Sequence, residues 1–287
     1  MSCISRREFL KTAGAGVGAA LLAPAGVAAA SESVDASDHV SMLYDATMCT
    51  GCNACTTACR QWNNTAVEKD PSGRYDAPGE LSADTWSLIL LREEKDNPSF
   101  IKRQCMHCID PACVSGCPVS ALEKSATGPV TYDADRCIGC RYCMYTCPFH
   151  IPRFEWDEVL PVITKCTLCD DRLEVGDGPA CAERCPTGAL TWGRRGDLLT
   201  EAEGRLEEKP DSYVNKIYGQ DDAGGTSVLY LSSVPFEEMG LPDLGDEPVP
   251  QLSERTSEVF VPSILIGGTL LLAGIRFIAQ REGWRQP

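Results

Sequence analysis

Sixteen of the seventeen cysteines fall in four short groups, and their spacing constrains the fold of this 287-residue chain more than any other feature. Long stretches without cysteine separate the groups, which is typical of ligands for several separate sites. In chain order, group 1 is Cys49, Cys52, Cys55 and Cys59, group 2 is Cys105, Cys108, Cys113 and Cys117, group 3 is Cys137, Cys140, Cys143 and Cys147, and group 4 is Cys166, Cys169, Cys181 and Cys185.

The spacing within the groups predicts iron–sulfur clusters. Groups 1 and 3 both read C-x2-C-x2-C-x3-C, while one gap widens to x4 in group 2 and to x11 in group 4. Such runs bind [4Fe–4S] clusters in bacterial proteins, where the fourth cysteine ligates the other cluster of a pair. A tight loop can wrap three corners of a cubane, so the fourth thiolate must come from elsewhere. The sixteen cysteines therefore predict four [4Fe–4S] clusters.

Three other uses of cysteine explain the pattern less well. Disulfides need no repeated four-cysteine spacing, even in an exported protein. C-x2-C pairs also bind zinc, but the three-plus-one grouping favours iron, as do the prolines that follow Cys117, Cys147 and Cys185. Group 1 departs, with Arg60 at that position. A radical-generating enzyme would need a C-x3-C-x2-C triad, which heads none of the groups.

The rest of the sequence contains no evident nucleophile, general acid–base pair or substrate pocket. The chain is therefore predicted not to be an enzyme in its own right. Its net charge of −15 argues against a nucleic-acid partner, because binding to phosphates needs concentrated Lys and Arg.

The N-terminus predicts export. Residues 1–30 contain Ser5-Arg6-Arg7-Glu8-Phe9-Leu10-Lys11 followed by a Gly/Ala-rich stretch, and they resemble a twin-arginine signal peptide. The alternative is a basic, amphipathic start to a helix. The resemblance implies that the protein folds, and acquires its clusters, before it crosses the membrane. Cys3 would leave with the signal.

The C-terminus predicts a membrane anchor. Residues 259–279 form an apolar stretch interrupted by Arg276, long enough for a transmembrane helix if that arginine reaches the headgroups. Arg281 and Arg285 would place a tail, residues 280–287, in the cytoplasm. A buried core helix is the alternative. Between signal and anchor we expect one cluster-binding domain over residues 41–250 and a linker over 251–258.

Within this domain, short patterns predict secondary structure. Apolar runs predict strands over residues 86–91, 130–132 and 228–231, and leucines at helical spacing predict a helix over 197–209. Residues 31–40 are polar and are predicted to form a leader.

The order and spacing of the four groups resemble the four-cluster iron–sulfur subunits of molybdopterin oxidoreductases and membrane-bound nickel–iron hydrogenases. The resemblance covers residues 41 to about 200. It is closer to the iron–sulfur subunit of hydrogenase-2-type complexes, as judged from Lys102-Arg103-Gln104-Cys105-Met106-His107-Cys108, Gly139-Cys140-Arg141-Tyr142-Cys143-Met144 and Val234-Pro235-Phe236-Glu237.

This resemblance implies an α+β fold of two fused ferredoxin-like modules, with groups 2 and 3 nested between groups 1 and 4. It also implies which cysteines share a cluster: Cys49, Cys52 and Cys55 with Cys185; Cys166, Cys169 and Cys181 with Cys59; Cys105, Cys108 and Cys113 with Cys147; and Cys137, Cys140 and Cys143 with Cys117. His107 and His150 are then neighbours of the clusters rather than ligands. Lys102, Arg141 and Lys165 either place positive charge beside reduced clusters or are simply solvated.

The implied function is electron transfer between a periplasmic catalytic subunit, preferably a nickel–iron hydrogenase, and a polytopic membrane subunit that meets quinone. The predicted location is the periplasmic face of the cytoplasmic membrane, in contact with lipid. A molybdopterin oxidoreductase or formate dehydrogenase is the rival catalytic partner. A membrane-tethered module for iron–sulfur storage or assembly, with no fixed partners, is the alternative of a different class.

Overall fold

A computed structural model describes residues 35–67, 79–94, 97–156, 159 and 161–281. The predicted signal peptide and the predicted tail beyond Arg281 therefore lie outside the described residues. The helices are α1 (Ala54–Asn63), α2 (Ala112–Ser115), α3 (Tyr142–Thr146), α4 (Asp170–Leu173), α5 (Ala180–Glu183), α6 (Arg195–Glu208), α7 (Gln251–Arg255) and α8 (Val261–Arg281), with a π-helical turn, Thr256–Phe260, between the last two. Short 3₁₀ turns are Ala36–Asp38, Pro210–Ser212 and Asp222–Gly224.

The strands of the described residues form one three-stranded sheet and three two-stranded ribbons. They are β1 (Val40–Asp45), β2 (Leu88–Glu94), β3 (Asn97–Arg103), β4 (Leu122–Lys124), β5 (Val130–Tyr132), β6 (Arg153–Phe154), β7 (Ile163–Thr164), β8 (Leu190–Arg194) and β9 (Val228–Leu231). In the sheet, β1 lies between β8, which is antiparallel to it, and β9, which is parallel. β2–β3, β4–β5 and β6–β7 are antiparallel ribbons.

Strand β1 is buried on both faces. Its side chains alternate between faces with the two-residue period of a strand, so Leu43 packs with Leu198 and Ala202 of α6. Met42 and Tyr44 point the other way, into the core that contains many of the cysteines. The sheet therefore separates α6 from the cysteine region.

The short helices bring the cysteine groups together in pairs. α1 carries Cys55 and Cys59 and packs against α5, which carries Cys181. α2 carries Cys113 and packs against α3, which carries Cys143. Helices of four or five residues are not stable alone in water, so tertiary packing must hold them. Group 1 thus lies against group 4, and group 2 against group 3.

Several sequence predictions agree with these elements. Strands were predicted over 130–132 and 228–231, where β5 and β9 lie, and the helix over 197–209 corresponds to α6. The strand over 86–91 is found as β2, shifted towards its C-terminal end. β1 and β8 were not predicted. Residues 251–258, predicted as a linker, contain α7 and the start of the π-helical turn.

The prediction of a transmembrane helix over residues 259–279 is not supported. Helix α8 forms there, but among the residues that the structure describes no helix combines the length and apolarity needed to cross a bilayer. Gly267, Gly268 and Thr269 interrupt its apolar residues and Arg276 adds a charge. The large apolar side chains described in α8, such as Ile264 and Leu271, are exposed.

Candidate metal centres

Three cavities are each lined by four cysteines, and every set mixes residues from two of the groups. The Cys52 cavity is lined by Cys49, Cys52, Cys55 and Cys185; the Cys169 cavity by Cys59, Cys166, Cys169 and Cys181; and the Cys140 cavity by Cys117, Cys137, Cys140 and Cys143. These are three of the four sets that the sequence resemblance implies.

The remaining four cysteines also lie together, and we call them the Cys105 set. Burial raises the pKa of Cys108 well above its usual range, and the neighbouring thiolates of the set raise it further. The set consists of Cys105, Cys108, Cys113 and Cys147. The structure thus brings all sixteen predicted residues into four sets of four.

The geometry of these sets differs from that of a site for one metal ion. The sixteen cysteines are free thiols, and in the described residues no three or more His, Cys, Asp or Glu side chains converge on one ion-sized point. The thiols instead line the walls of cavities. A cubane cluster offers one iron to each of four thiolates, so a cavity with four thiols on its walls suits such a group.

Each cysteine loop carries the same backbone feature. The residue before the second cysteine has a positive φ in all four groups: Gly51 (+70°), His107 (+47°), Gly139 (+65°) and Leu168 (+60°). Left-handed residues turn successive N–H groups towards one side of the chain, and such nests bind anions, including iron–sulfur clusters. At Gly51 a Cβ would lie 2.2 Å from Cε1 of Phe100, so only glycine is compatible with this packing.

The turn after the fourth cysteine supplies further N–H donors. The N–H of Ala121 donates to Sγ of Cys117 over 3.2 Å. Burial by itself raises the pKa of Cys117, but the backbone N–H groups of residues 119–122 outweigh it and lower the pKa. Cys185 behaves in the same way, with donors that include the N–H groups of Leu190 and Thr187. In both cases the turn stabilises the thiolate.

Cys59, which Arg60 rather than proline follows, has a different environment. α1 continues through Cys59 to Asn63, and a proline after the cysteine, in the interior of this helix, would disrupt it. The backbone N–H groups are used within the helix, and the side-chain amide of Asn63 donates instead to Sγ of Cys59 over 3.6 Å. The departure from the Cys-Pro pattern therefore has a local structural reason.

Burial raises the pKa of most interior thiols. The pKa of Cys55 rises to about 11, and those of Cys59 and Cys113 to about 12, with burial as the largest cause. Since iron binds the thiolate, cluster assembly must release protons from these thiols.

The four sets lie in a row. The thiolate of Cys181 lies close enough to raise the pKa of Cys55, which makes the Cys52 and Cys169 cavities neighbours. In the same way, Cys105 raises the pKa of Cys166 and Cys143 raises that of Cys113. The order is therefore the Cys52 cavity, the Cys169 cavity, the Cys105 set and the Cys140 cavity.

Exposure follows this order. Cys52 and Cys140, which belong to the two end cavities, are the exposed cysteines of the described chain. The four cysteines of the Cys169 cavity are all buried. The two ends of the row are therefore the parts of the cysteine region that are open to the surface.

The charged and imidazole residues near the groups occupy different environments. Lys102 and Lys165 are buried, so a solvated role is excluded for both, whereas Arg141 is exposed and stacks on the rings of Phe154 and Trp156. His107 is buried, and its Nδ1 accepts the N–H of Val130 over 2.9 Å.

Sequence reasoning missed two residues that line the Cys169 cavity, Ser87 and Gln104. Ser87 is buried just before β2, and Gln104 directly precedes Cys105. Its position next to Cys105 could have indicated a role near the cysteines. It gave no reason, however, to place Gln104 in the wall of the Cys169 cavity, to which Cys105 does not belong.

Comparison with known protein families agrees with this geometry. Residues 48–122 and 97–195 each match a family described as a 4Fe-4S dicluster domain. Residues 3–23 match the twin-arginine translocation pathway signal sequence, which supports export across the membrane to the periplasm. Two dicluster domains account for four [4Fe–4S] clusters.

Relatives match most of the chain. A protein of Nitratidesulfovibrio vulgaris is 38% identical over 97% of this chain and 78% of its own length. The Hydrogenase-2 operon protein HybA of Escherichia coli O157:H7 is 36% identical over 97% of this chain and 96% of its own length. The Formate dehydrogenase-O iron-sulfur subunit of Escherichia coli K12 is 38% identical over 76% of each chain.

Four cysteine sets in a row, held by ferredoxin-like α/β modules, define a four-cluster electron-transfer protein. The chain belongs to the family of ferredoxin-type iron–sulfur subunits of oxidoreductase complexes, which includes HybA and the formate dehydrogenase iron–sulfur subunits. It is an iron–sulfur electron-transfer subunit that carries four [4Fe–4S] clusters.

Proposed function

We propose that each of the four sets of cysteines ligates one [4Fe–4S] cluster. The support is that the cysteines of each set lie together, while the loops and turns around them aim N–H groups at the thiolates. Each cluster takes three ligands from one group and the fourth from the partner group. The groups thereby lock each other in place.

The four clusters form one path for electrons, which enter and leave at the Cys52 and Cys140 ends. The observation that carries this proposal is the exposure of one cysteine in each end cavity, while the two sets between them contain no exposed cysteine. Each cluster accepts and passes on one electron, and the protein supplies burial and hydrogen bonds. The chain needs no substrate site of its own for this role.

The two ends differ in ways that support different partners. The Cys140 end exposes Ile138, Tyr142, Tyr145 and Trp156, and large exposed apolar patches mark interaction sites. A groove there also brings Tyr145 beside Ser257 of the C-terminal π-helical turn. The Cys140 end would therefore face a quinone-interacting membrane subunit.

The Cys52 end has a more polar wall and would face the catalytic subunit. Thr50, Asn53 and Thr187 line its cavity beside the cysteines. A nickel–iron hydrogenase is the preferred catalytic partner, because the match to HybA spans nearly the full length of both chains. A formate dehydrogenase is the second candidate, supported by the match over three quarters of each chain. The complex would lie at the periplasmic face of the cytoplasmic membrane.

Purification of the full-length, tagged chain from detergent-solubilised membranes tests this function. We expect a nickel-containing subunit and a polytopic membrane subunit to be recovered by mass spectrometry, and hydrogen gas to reduce the clusters. Reduction by formate, with a molybdenum-containing subunit recovered, would replace the preferred partner by the second candidate. Recovery of the chain alone would contradict the electron path.

A pair of surface variants tests the assignment of the two ends. Tyr145→Glu places a charge at the Cys140 end and should reduce recovery of the membrane subunit only. Thr50→Glu places one at the Cys52 end and should reduce recovery of the catalytic subunit only. The reverse pattern of losses would show that the ends are assigned the wrong way round.

A further inference from the structure

Lys102 is a fully buried cation within a group of cysteine sets. Its side chain has 0% relative exposure, and within the described residues it forms no ion pair with a carboxylate. Nζ donates to Oγ of Ser87 over 2.6 Å and to Oε1 of Gln104. An unpaired buried charge is costly, so some other negative charge must compensate it.

The groups that face this ammonium are cysteine sulfurs, which become negatively charged when they bind iron. Burial alone lowers the pKa of Lys102, yet the pKa is raised, because thiolates at Cys181, Cys55, Cys166 and Cys59 face the ammonium. Three of these thiols belong to the Cys169 cavity, while Cys55 belongs to the adjacent Cys52 cavity. Lys102 therefore lies between two neighbouring sets. Most of the sulfurs that interact with its charge belong to the Cys169 cavity.

Gln104 connects this cation to the wall of the Cys169 cavity. Its side chain is buried and lines that cavity together with Ser87. Because Oε1 accepts from Lys102, the amide orientation is fixed, and Nε2 is left as a donor. In the described part of the chain Nε2 is buried and has no hydrogen-bond partner, although buried polar groups are nearly always paired.

We propose that Lys102 and Gln104, with Ser87, form a charged wall that makes the cluster of the Cys169 cavity easier to reduce. This proposal rests on the cysteine assignment made above. Nε2 of Gln104 donates to a sulfur of the cluster, and the ammonium of Lys102 stabilises the added electron. Each electron adds one negative charge to the cluster, so a nearby cation favours the reduced form.

The wall should also make the reduction potentials of the four clusters unequal. At the Cys140 cavity, backbone N–H groups donate to the thiols. Among the described residues that line this cavity, Arg141 is the only cation, and it is exposed. Water screens an exposed charge far more than a buried one. The cluster of the Cys169 cavity should therefore hold an electron more tightly than that of the Cys140 cavity.

Redox titration of the purified, cluster-loaded full-length chain, followed by electron paramagnetic resonance, tests the proposal. Cys169→Ser first identifies the signal of this cavity. In Lys102→Met, we expect the one-electron reduction equilibrium of that cluster to shift at least tenfold towards the oxidised form, which corresponds to about 59 mV. Gln104→Leu should shift it in the same direction but less. The cluster of the Cys140 cavity should not move.

Lys209→Met, which removes an exposed lysine, is the matched control and should shift no cluster. A fully loaded Lys102→Met protein with unchanged potentials would overturn the proposal. If Lys102→Met loses iron, Gln104→Leu provides the test, because this variant keeps the ammonium of Lys102. A cluster-loaded Gln104→Leu protein with an unchanged potential at the Cys169 cavity would overturn the proposal. The potentials are measured without partner subunits, so an error in the partner assignment leaves this test intact. An error in the cysteine assignment would appear separately, as a Cys169→Ser protein that keeps all four signals.

Discussion

The Cys169 cavity and the Cys140 cavity are each lined by four thiols that come from two cysteine groups. They differ in where the surrounding polar groups come from. The Cys169 cavity lies in the core, and Gln104 with a buried ammonium behind it forms part of its wall. The Cys140 cavity lies at the surface. Both cavities receive one loop N–H, from Leu168 to Cys166 and from Gly139 to Cys137, and the Cys140 cavity has a further backbone donor, the N–H of Ala121.

The loops show the same difference. The left-handed position is glycine in the loops that contribute the exposed cysteines, Gly51 and Gly139, but His107 and Leu168 in the two other loops. A left-handed conformation costs a non-glycine residue about 1–2 kcal/mol. Both of these side chains are buried, and burial of Leu168 in the core offsets that cost. The interior loops thus use side chains to pack, and the surface loops use glycine to turn.

The largest effect should come from removing one cysteine of each cavity. Cys166→Ala should disrupt the buried cluster and leave the core around it poorly packed, which should cost about 2–5 kcal/mol of unfolding free energy, as large-to-small core substitutions do. Cys140→Ala should lose one cluster and keep the fold. Iron content and thermal unfolding measure both. Equal stabilities of the two variants would show that the cavities do not differ in this way.

Removal of iron by a chelator should separate the same two classes of site. Cys52 and Cys140 are exposed, so their clusters can be attacked in the folded protein, whereas the interior clusters require local opening. We expect iron release in two phases of similar size, followed by absorbance and by the paramagnetic signals. Release in a single phase would place all four clusters in equivalent surroundings. Cys140→Ala serves as the control and should reduce the amplitude of the fast phase only.

A smaller effect is expected from two glycine substitutions with the same backbone conformation. Gly51 and Gly188 have φ of +70° and +69°, but only at Gly51 does a Cβ clash with Phe100. Gly188→Ala should cost about 1–2 kcal/mol of unfolding free energy. Gly51→Ala should cost a further 1–3 kcal/mol or so from overpacking and should lower the iron content. Denaturant unfolding measures both, and equal costs would mean that Phe100 moves aside freely.

The smallest effect should come from Asn63→Ala. The amide of Asn63 donates to the carbonyl oxygen of Cys59 over 2.8 Å and weakly to its Sγ. Its loss should cost about 1 kcal/mol or less and should make the cluster of the Cys169 cavity slightly harder to reduce. Unfolding and redox titration check both. A shift in the cluster of the Cys140 cavity would instead indicate a change that spreads through the protein.

The cysteine groups could be predicted because their members are close in the chain and their thiols have a distinctive chemistry. Four thiols at fixed spacing have few uses, and the resemblance to known subunits implied which groups share a cluster. Strands β5 and β9 were predicted for a similar reason, since each is a short apolar run with clear ends. These features depend on residues that are close in the chain.

The rest depends on contacts between distant residues. β1 was not predicted, and it pairs with β8 and β9, which follow far along the chain. The burial of Lys102 could not be predicted, because an isolated lysine is usually solvated. Gln104 lines a cavity whose cysteines belong to other groups. An apolar stretch followed by arginines predicted a transmembrane helix near the C-terminus, which the described residues do not support.

The parallel pairing of β1 with β9 sets the order in which this protein can be completed during synthesis. β1 precedes the first of the four cysteine groups, whereas β9 follows the last one. A nascent chain cannot finish its central sheet until every thiol has been translated. The sheet beside the cysteine sets is therefore completed only after all of their ligands are available.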